Sequence, residues 1–283
     1  MAIPISVIKM TGEREDWSPA KLERSLRAAR APEDLIREIV VHLEKDLHDG
    51  MSTNDIYEHA LALLKRYRGP AAAEYSLKKA IMQFGPTGFP FERFVAHILN
   101  AQGYRTKVGT IVQGACVEHE VDVIAEKEDE RILVEAKFHN SAAIKSDVKV
   151  TLYVHARFED IQNKLESIEG ETKYNRAWLI TNTEFTSHAI QYANCVGLGI
   201  TGWNYPKGRT LQDLIQATQT HPLTCLTSLT DSQKNQLLAK GIVLCRSVVD
   251  DPSHLERIGI NKARINAIVE EGAMLCPVAK PAS

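Results

Sequence analysis

An α/β (α+β) chain is what this sequence predicts: a helical N-terminal segment carrying a β-hairpin, a central mixed sheet flanked by helices, and a small helical module at the C-terminus. Three observations predict it. Helical apolar spacing fills most of residues 18–82, while residues 88–205 alternate helix-period and strand-period runs in the order α-β-β-β-α-β-α-β. The breaker cluster Gly85-Pro86-Thr87-Gly88 stands between the two. Boundaries follow at 1–85, 86–220 and 221–283.

The first segment opens with two short apolar stretches, Ile3 to Ile8 and Arg14 to Trp17, around a Thr11-Gly12 turn, which reads as a hairpin. Ser18-Pro19 is a cap followed by proline at the first helical position, and Leu22, Leu26 and Ala29 recur at helical spacing. Ile36, Ile39, Val40 and Leu43 mark a second helix, Ser52 caps a third carrying Ile56, Leu61 and Leu64, and Pro70 to Met82 forms a fourth.

In the central segment, Phe91, Phe94, Val95, Ile98 and Leu99 make one apolar stripe on a helix from Phe89 to Ala101 that stops at Gly103. Strand-like runs follow at Tyr104 to Val112, Val117 to Ala125 and Arg131 to Phe138. A helix from about Asp147 to Ile168, a strand Ala177 to Thr181, a helix Thr186 to Cys195 and a strand Gly197 to Gly202 complete it. The last segment has helical pieces around Asp231 to Ala239, Ser247 to Asp250 and Leu255 to Glu271.

Bulk properties exclude several classes. With 283 residues, 44% of them hydrophobic, the chain has length for two or three cores. No run approaches the ~18 apolar residues of a membrane span, and the N-terminus lacks a basic segment leading into a long apolar one, so a cytoplasmic address is expected. The five cysteines are scattered and never form C-x-x-C, which indicates neither a disulfide framework nor a structural zinc site. Residues 86–220 carry 14 Lys+Arg against 17 Asp+Glu, so any grip on a polyanion there must be local, metal-assisted or supplied by flanking segments.

Chemistry concentrates in VEHEVDVIAEKEDERILVEAKF, two β-rich runs around the polar tip Glu126 to Glu130. With the turn centred between Glu128 and Asp129, antiparallel pairing sets Asp122 opposite Glu135, with Cβ atoms about 5 Å apart. Strand alternation adds Lys137 to the same face. Carboxylates at that range repel unless a cation joins them, and a hard divalent ion with oxygen ligands, Mg²⁺ before others, is the economical solution. Lys149, Tyr153 and Arg157 share a helix face near Asp160, either as a solvated surface or as a phosphate-contacting edge. Lone histidines such as His119 and His155 read as structural, Trp203 as part of a turn, and Asn182 carries no assignment.

Asp122 followed by Glu135-Ala136-Lys137 at the end of an apolar strand resembles the D…ExK signature of PD-(D/E)xK nucleases. Glu92 in FPFERFVAHIL and the tract GTIVQGACVEHEVDVIA make residues 88–205 most similar to type IV, Mrr-like restriction endonucleases. The resemblance implies a DNA endonuclease using Mg²⁺ or Mn²⁺, with metal held by Asp122, Glu135 and the Ala136 carbonyl. It further implies that Lys137 orients or activates the attacking water and that Glu92 supports a ligand water or second ion. Val121 stands where the motif's namesake proline would be. Two alternatives stay open: a catalytically silent nucleotide-sensing regulator binding DNA or protein on the same scaffold, and an RNA-processing or repair nuclease.

The stretch VIKMTGEREDWSPAKLERSLRAA, continuing to Tyr75-Ser76-Leu77-Lys78-Lys79, resembles an ATP-cone. That implies ATP or dATP as effector, with Val7, Lys9, Gly12 and Lys21 as the matching binding positions and Trp17 at an aromatic one; a cone fold kept as a dimerisation module without ligand stays open, and a homo-oligomer, dimer or higher, is expected. Met10 stands where the family usually has arginine. No G-x-x-x-x-G-K-[ST] occurs, so nucleotide is expected as effector and not as fuel. Lys65-Arg66-Tyr67-Arg68 is either a solvated helix end or a rest for DNA phosphates. At the other end, LERIGINKARINAIVEEG resembles a helix-hairpin-helix in which Asn261 replaces the second glycine and is expected in the left-handed region; it either contacts DNA phosphate or serves simple helical packing.

Overall fold

The computed structural model describes residues 5–9, 11–67, 71–168 and 173–276. Ile3, Met10, Arg68 and Pro70 lie outside these, so the expectations placed on them are not addressed. The chain divides into two compact units, Met1–Leu77 and Lys78–Ser283.

In the first unit, β1 (Ser6–Ile8) pairs antiparallel with β2 (Arg14–Asp16), the expected hairpin. A short strand the sequence did not announce, β3 (Met51–Ser52), joins β1 in parallel. The helices are α1 (Pro19–Ala28), α2 (Glu33–Asp46), α3 (Thr53–Arg66) and α4 (Ala71–Met82), the unit boundary falling within the last. Ser52 caps α3 as expected, its side chain accepting from the Asp55 N–H at 3.0 Å, whereas Ser18 makes no such bond to α1. Leu26, Ile36, Ile39, Leu43 and Leu64 fill the core from three helices, which is why their spacing was helical.

The second unit is built on a five-stranded mixed sheet. After α5 (Phe89–Ala101) come β4 (Arg105–Gln113), β5 (Glu118–Lys127) and β6 (Glu130–Lys137), an antiparallel meander. Then β7 (Lys145–Ser146) precedes α6 (Val148–Glu166), β8 (Arg176–Thr181), β9 (Glu184–Phe185), α7 (Ser187–Val196) and β10 (Gly199–Thr201). Strand order is β10-β8-β6-β5-β4, with β8 parallel to β6 and β10 parallel to β8, while β7 and β9 make a separate two-stranded pair. Central strands β6 and β8 read as near-continuous apolar runs because both faces are covered.

Beyond the sheet lie α8 (Leu211–Thr218), α9 (Asp231–Ala239), α10 (Cys245–Asp250), α11 (Ser253–Glu256) and α12 (Lys262–Leu275). Helix α8 has no counterpart among the expected elements, although Thr210 and Asp213 close a capping box at its start. The stretch Leu255 to Glu271, expected as one helical piece, is broken into α11 and α12 by Gly259 at φ +79°. Asn261 is not left-handed but extended (φ −73°), and its side chain accepts from the Arg264 N–H, so asparagine serves here as an N-cap. All five cysteines are free; Cys225, Cys245 and Cys276 are buried, and Cys116 and Cys195 are exposed. No helix of the described residues is long and apolar enough to cross a membrane.

Candidate active site

The β5–β6 hairpin turns through Glu128-Asp129, with Glu128 at φ +51°, and its register runs from Lys127↔Glu130 to Val123↔Val134. That is the register the sequence predicts. One pair further along, where Asp122 and Glu135 would face each other, the ladder stops. On the other side the β4–β5 pairing also skips Asp122, passing from Val108↔Val123 to Thr110↔Val121, and Gly109 between them is left-handed at φ +61°. The strands therefore part at Asp122, and its carboxylate accepts from the Ala136 N–H at 2.8 Å in place of a ladder bond.

Glu135 lies beyond that bond on β6 and is paired to Arg157 of α6, Nη1 to Oε2, at 2.6 Å. Both side chains are nearly closed to solvent, at 15% and 12% exposure. Tyr153, one turn earlier on α6, holds the guanidinium: its ring lies 4.6 Å beneath and its hydroxyl accepts from Nη2 at 2.8 Å. Lys137 follows two residues after Glu135, hence on the same face, in parallel register with Thr181. Glu92 enters from the first turns of α5.

The electrostatics are those of acids confined together. Burial, reinforced by the Glu135 charge, pushes the Asp122 carboxyl up to about 7, against the opposing pull of the Ala136 N–H. Glu92 is also raised, by burial first and then by Glu120 and Glu135. Three carboxyls thus share one region with Arg157 as a cationic neighbour. Such a set is unfavourable as it stands and becomes favourable with a multivalent cation. The donor atoms, carboxylate oxygens with a backbone carbonyl available at Ala136, suit a hard divalent ion.

Other residues singled out in the sequence have structural duties. Asn182 is buried and clamps the backbone of His139 on both sides, accepting from its N–H and donating to its carbonyl, each at 2.8 Å. His139 Nε2 meets Ser146 Oγ at 2.9 Å, which fixes the turn after β6. Asp160, expected near the phosphate edge, instead ties down the β4–β5 connection: it meets His119 at 2.8 Å and accepts from the Cys116 N–H at 2.9 Å. His119 and that backbone bond hold Asp160 down to about 2. His155 contacts the Tyr192 hydroxyl at 3.0 Å, as befits a packing histidine. Trp203 sits in a turn, its N–H donating to Thr183, with Lys78 5.8 Å over its ring.

Arg157, expected on a solvated face or a phosphate-contacting edge, is aimed at Glu135. Its four-residue spacing from Tyr153 was the available signal, but helical spacing alone does not say which strand a face looks upon.

In the first unit a cleft of about 250 Å³ is lined by Val7, Glu15, Trp17, Lys21, Tyr57 and Tyr75 among others. Two of the four expected nucleotide positions, Val7 and Lys21, line it. Gly12 forms the hairpin turn at φ +84°, and Lys9 reaches Glu15 from the strand before. Lys21 at 2.7 Å and Lys9 at 3.3 Å both close on Glu15 and hold its carboxyl below the usual range, Lys21 more strongly. Two cations converging on one carboxylate beside an aromatic-lined cleft is an arrangement suited to a phosphate.

Three segments of the chain match known domain families. Residues 5–80 match the ATP cone domain, residues 86–207 a restriction endonuclease domain, and residues 221–276 the C-terminal domain of AF1548-like proteins. An uncharacterized protein of Archaeoglobus fulgidus is 34% identical over 178 residues, spanning 62% of this chain and 97% of that protein. The crystal structure of AF1548, a protein of unknown function, superposes with a TM-score of 0.55 at 33% identity, over 67% of this chain and 98% of that one.

Proposed function

This chain belongs to the family of AF1548-like proteins, with an ATP cone ahead of its restriction-endonuclease domain, and on that footing we propose that it is a divalent-metal-dependent DNA endonuclease regulated by ATP or dATP. The observation that supports the reading is the parting of the sheet at Asp122, whose carboxylate takes the Ala136 N–H and feels the charges of Glu135, Glu92 and Arg157, with Lys137 two residues beyond Glu135 on β6.

In this reading Asp122, Glu135 and the Ala136 carbonyl hold Mg²⁺ or Mn²⁺. When bound there, such an ion supplies positive charge to a phosphate oxygen and lowers the pKa of a coordinated water. Lys137 orients the attacking water and offsets charge that grows on the phosphoryl oxygens. Glu92 accepts a hydrogen bond from water on the α5 side. Arg157 neutralises Glu135 before the cation arrives and then faces the DNA backbone as a phosphate donor. Residues 1–85 sense nucleotide, 86–220 cut, and 221–283 contact DNA. The same reading places the protein in the cytoplasm as a homo-oligomer.

The test of activity is conversion of supercoiled plasmid to nicked or linear forms with Mg²⁺ or Mn²⁺. Single-stranded DNA, branched DNA and RNA offered alongside fix the substrate class. Cutting that persists in the Asp122→Ala chain would remove the site assignment.

Regulation has a separate readout. Millimolar ATP or dATP, at ~100 times its Kd, is expected to raise the melting temperature of the full chain by about 5 °C. Lys21→Ala is expected to abolish the shift by removing the nearer of the two cations at Glu15. An unchanged shift in that variant would place the nucleotide elsewhere.

A further inference from the structure

We propose a second metal centre, of a different kind, in the N-terminal unit: His42, Asp46 and His59 form a two-histidine, one-carboxylate site for a borderline transition ion, with Zn²⁺ as its representative. One ligand atom from each residue lies within 4.8 Å of the other two. His42 and Asp46 are four residues apart in α2 and therefore share a face, and His59 comes from the middle of α3.

None of the contacts among them is a close hydrogen bond. Asp46 Oδ2 lies 3.7 Å from His59 Nε2 and 4.0 Å from His42 Nδ1, too long for hydrogen bonds of normal strength. One carboxylate oxygen thus faces two imidazole nitrogens without bonding well to either. The two rings meet edge to face with centroids 5.1 Å apart, which leaves the nitrogens clustered instead of stacked. Around a tetrahedral ion with bonds near 2.0–2.2 Å, ligand atoms stand about 3.3 Å apart. Closing from the observed separation takes small side-chain rotations, and the partial exposure of all three residues permits them.

Position favours a cation as well. Asp46 ends α2, so the negative end of that helix's dipole adds to the potential at the carboxylate. The donor set then decides which cation. Two imidazoles select Zn²⁺, Ni²⁺ or Co²⁺ over Mg²⁺, the opposite of the all-oxygen set around Asp122. Three protein ligands leave a fourth position open to water. Since the ligands come from two helices, the bound ion clamps α2 to α3 and stabilises the nucleotide-sensing unit.

The experiment uses the full chain carrying Asp122→Ala, which removes a ligand of the nuclease centre. Zn²⁺ retained after equilibrium dialysis is compared with and without His59→Ala. The expected result is one equivalent more in the chain that keeps His59, not displaced by millimolar Mg²⁺. All five cysteines, the exposed Cys116 and Cys195 included, are common to both chains and cancel in the difference. Asp46→Asn, a nearly isosteric change at an exposed position, is expected to lose the same equivalent and to abolish the rise in melting temperature that Zn²⁺ gives the parent. Equal zinc content in all three chains, or displacement by Mg²⁺, would overturn the proposal.

Discussion

Lys137→Ala is expected to lower the rate of phosphodiester cleavage by about 10³-fold, the scale on which removing a positioned proton-transfer group or a charge-stabilising donor acts. The reasoning rests on alternation along β6. Glu135 and Lys137 share a face, Ala136 between them points into the core, and its N–H is already committed to Asp122. On the proposed reading the ammonium assists the chemistry without being a ligand. Removing it is expected to spare cation binding and to slow turnover on that scale. Asp122→Ala is expected to cost both, since it takes away a proposed ligand and the acceptor of the Ala136 N–H. Plasmid cleavage rates with a parallel Mn²⁺-binding measurement separate the two. Equal loss of metal by Lys137→Ala would demote the lysine to a structural neighbour.

Arg157→Ala should be the most destabilising single change at the site in the metal-free chain, by about 3 kcal/mol. A buried ion pair is weak evidence for stability as a whole, but removing one partner strands the other, and here the stranded group is a carboxylate beside two more. The measurement is the urea midpoint with and without Mn²⁺. Divalent ion is expected to recover much of the loss, because it supplies the charge that the guanidinium no longer does. A variant as stable as the parent in the absence of metal would show that Arg157 does not balance the acids. The guanidinium Nε is also buried without a hydrogen-bond partner among the described residues, which suits a group held for its charge and for a later phosphate.

Much of the architecture was readable because hydrophobic periodicity encodes it directly. The helix of Phe89 to Ala101 coincides with its expected limits, and the meander, α6, β8, α7 and β10 fall within a few residues of theirs. The register of β5 on β6 was readable for a stricter reason: a two-residue turn between apolar strands leaves one symmetric pairing. What escaped notice are elements whose signals are short or non-local. Strands of two residues, such as β3, β7 and β9, have no period to detect. Helix α8 begins inside a polar stretch where only its capping box marks it.

At the site, the acidic and basic residues of one hairpin were legible together because they are local. Arg157 was not, because its partner lies 22 residues away and the pairing depends on how α6 packs. Asp160 illustrates the converse. It stands three positions from Arg157 on α6, yet it faces the β4–β5 connection and not the acids, since one helix turn sweeps past two different neighbours. Asn261 was assigned by its tolerance of left-handed backbone, whereas its side-chain oxygen was wanted at a helix start. Both properties belong to asparagine, and only the three-dimensional context chooses between them.

Binding of Mn²⁺ to the full chain as a function of pH tests the central claim most directly, that Asp122 and Glu135 are ligands of one cation. In the metal-free protein Asp122 is pushed up to about 7, so below that pH the ion must displace a proton from it. The expected result is one equivalent bound at the site, with affinity falling about tenfold for each pH unit below 7 and levelling above it, and no such equivalent in Asp122→Asn or Glu135→Gln. Binding that is indifferent to pH across this range, or equal in those variants, would contradict the account.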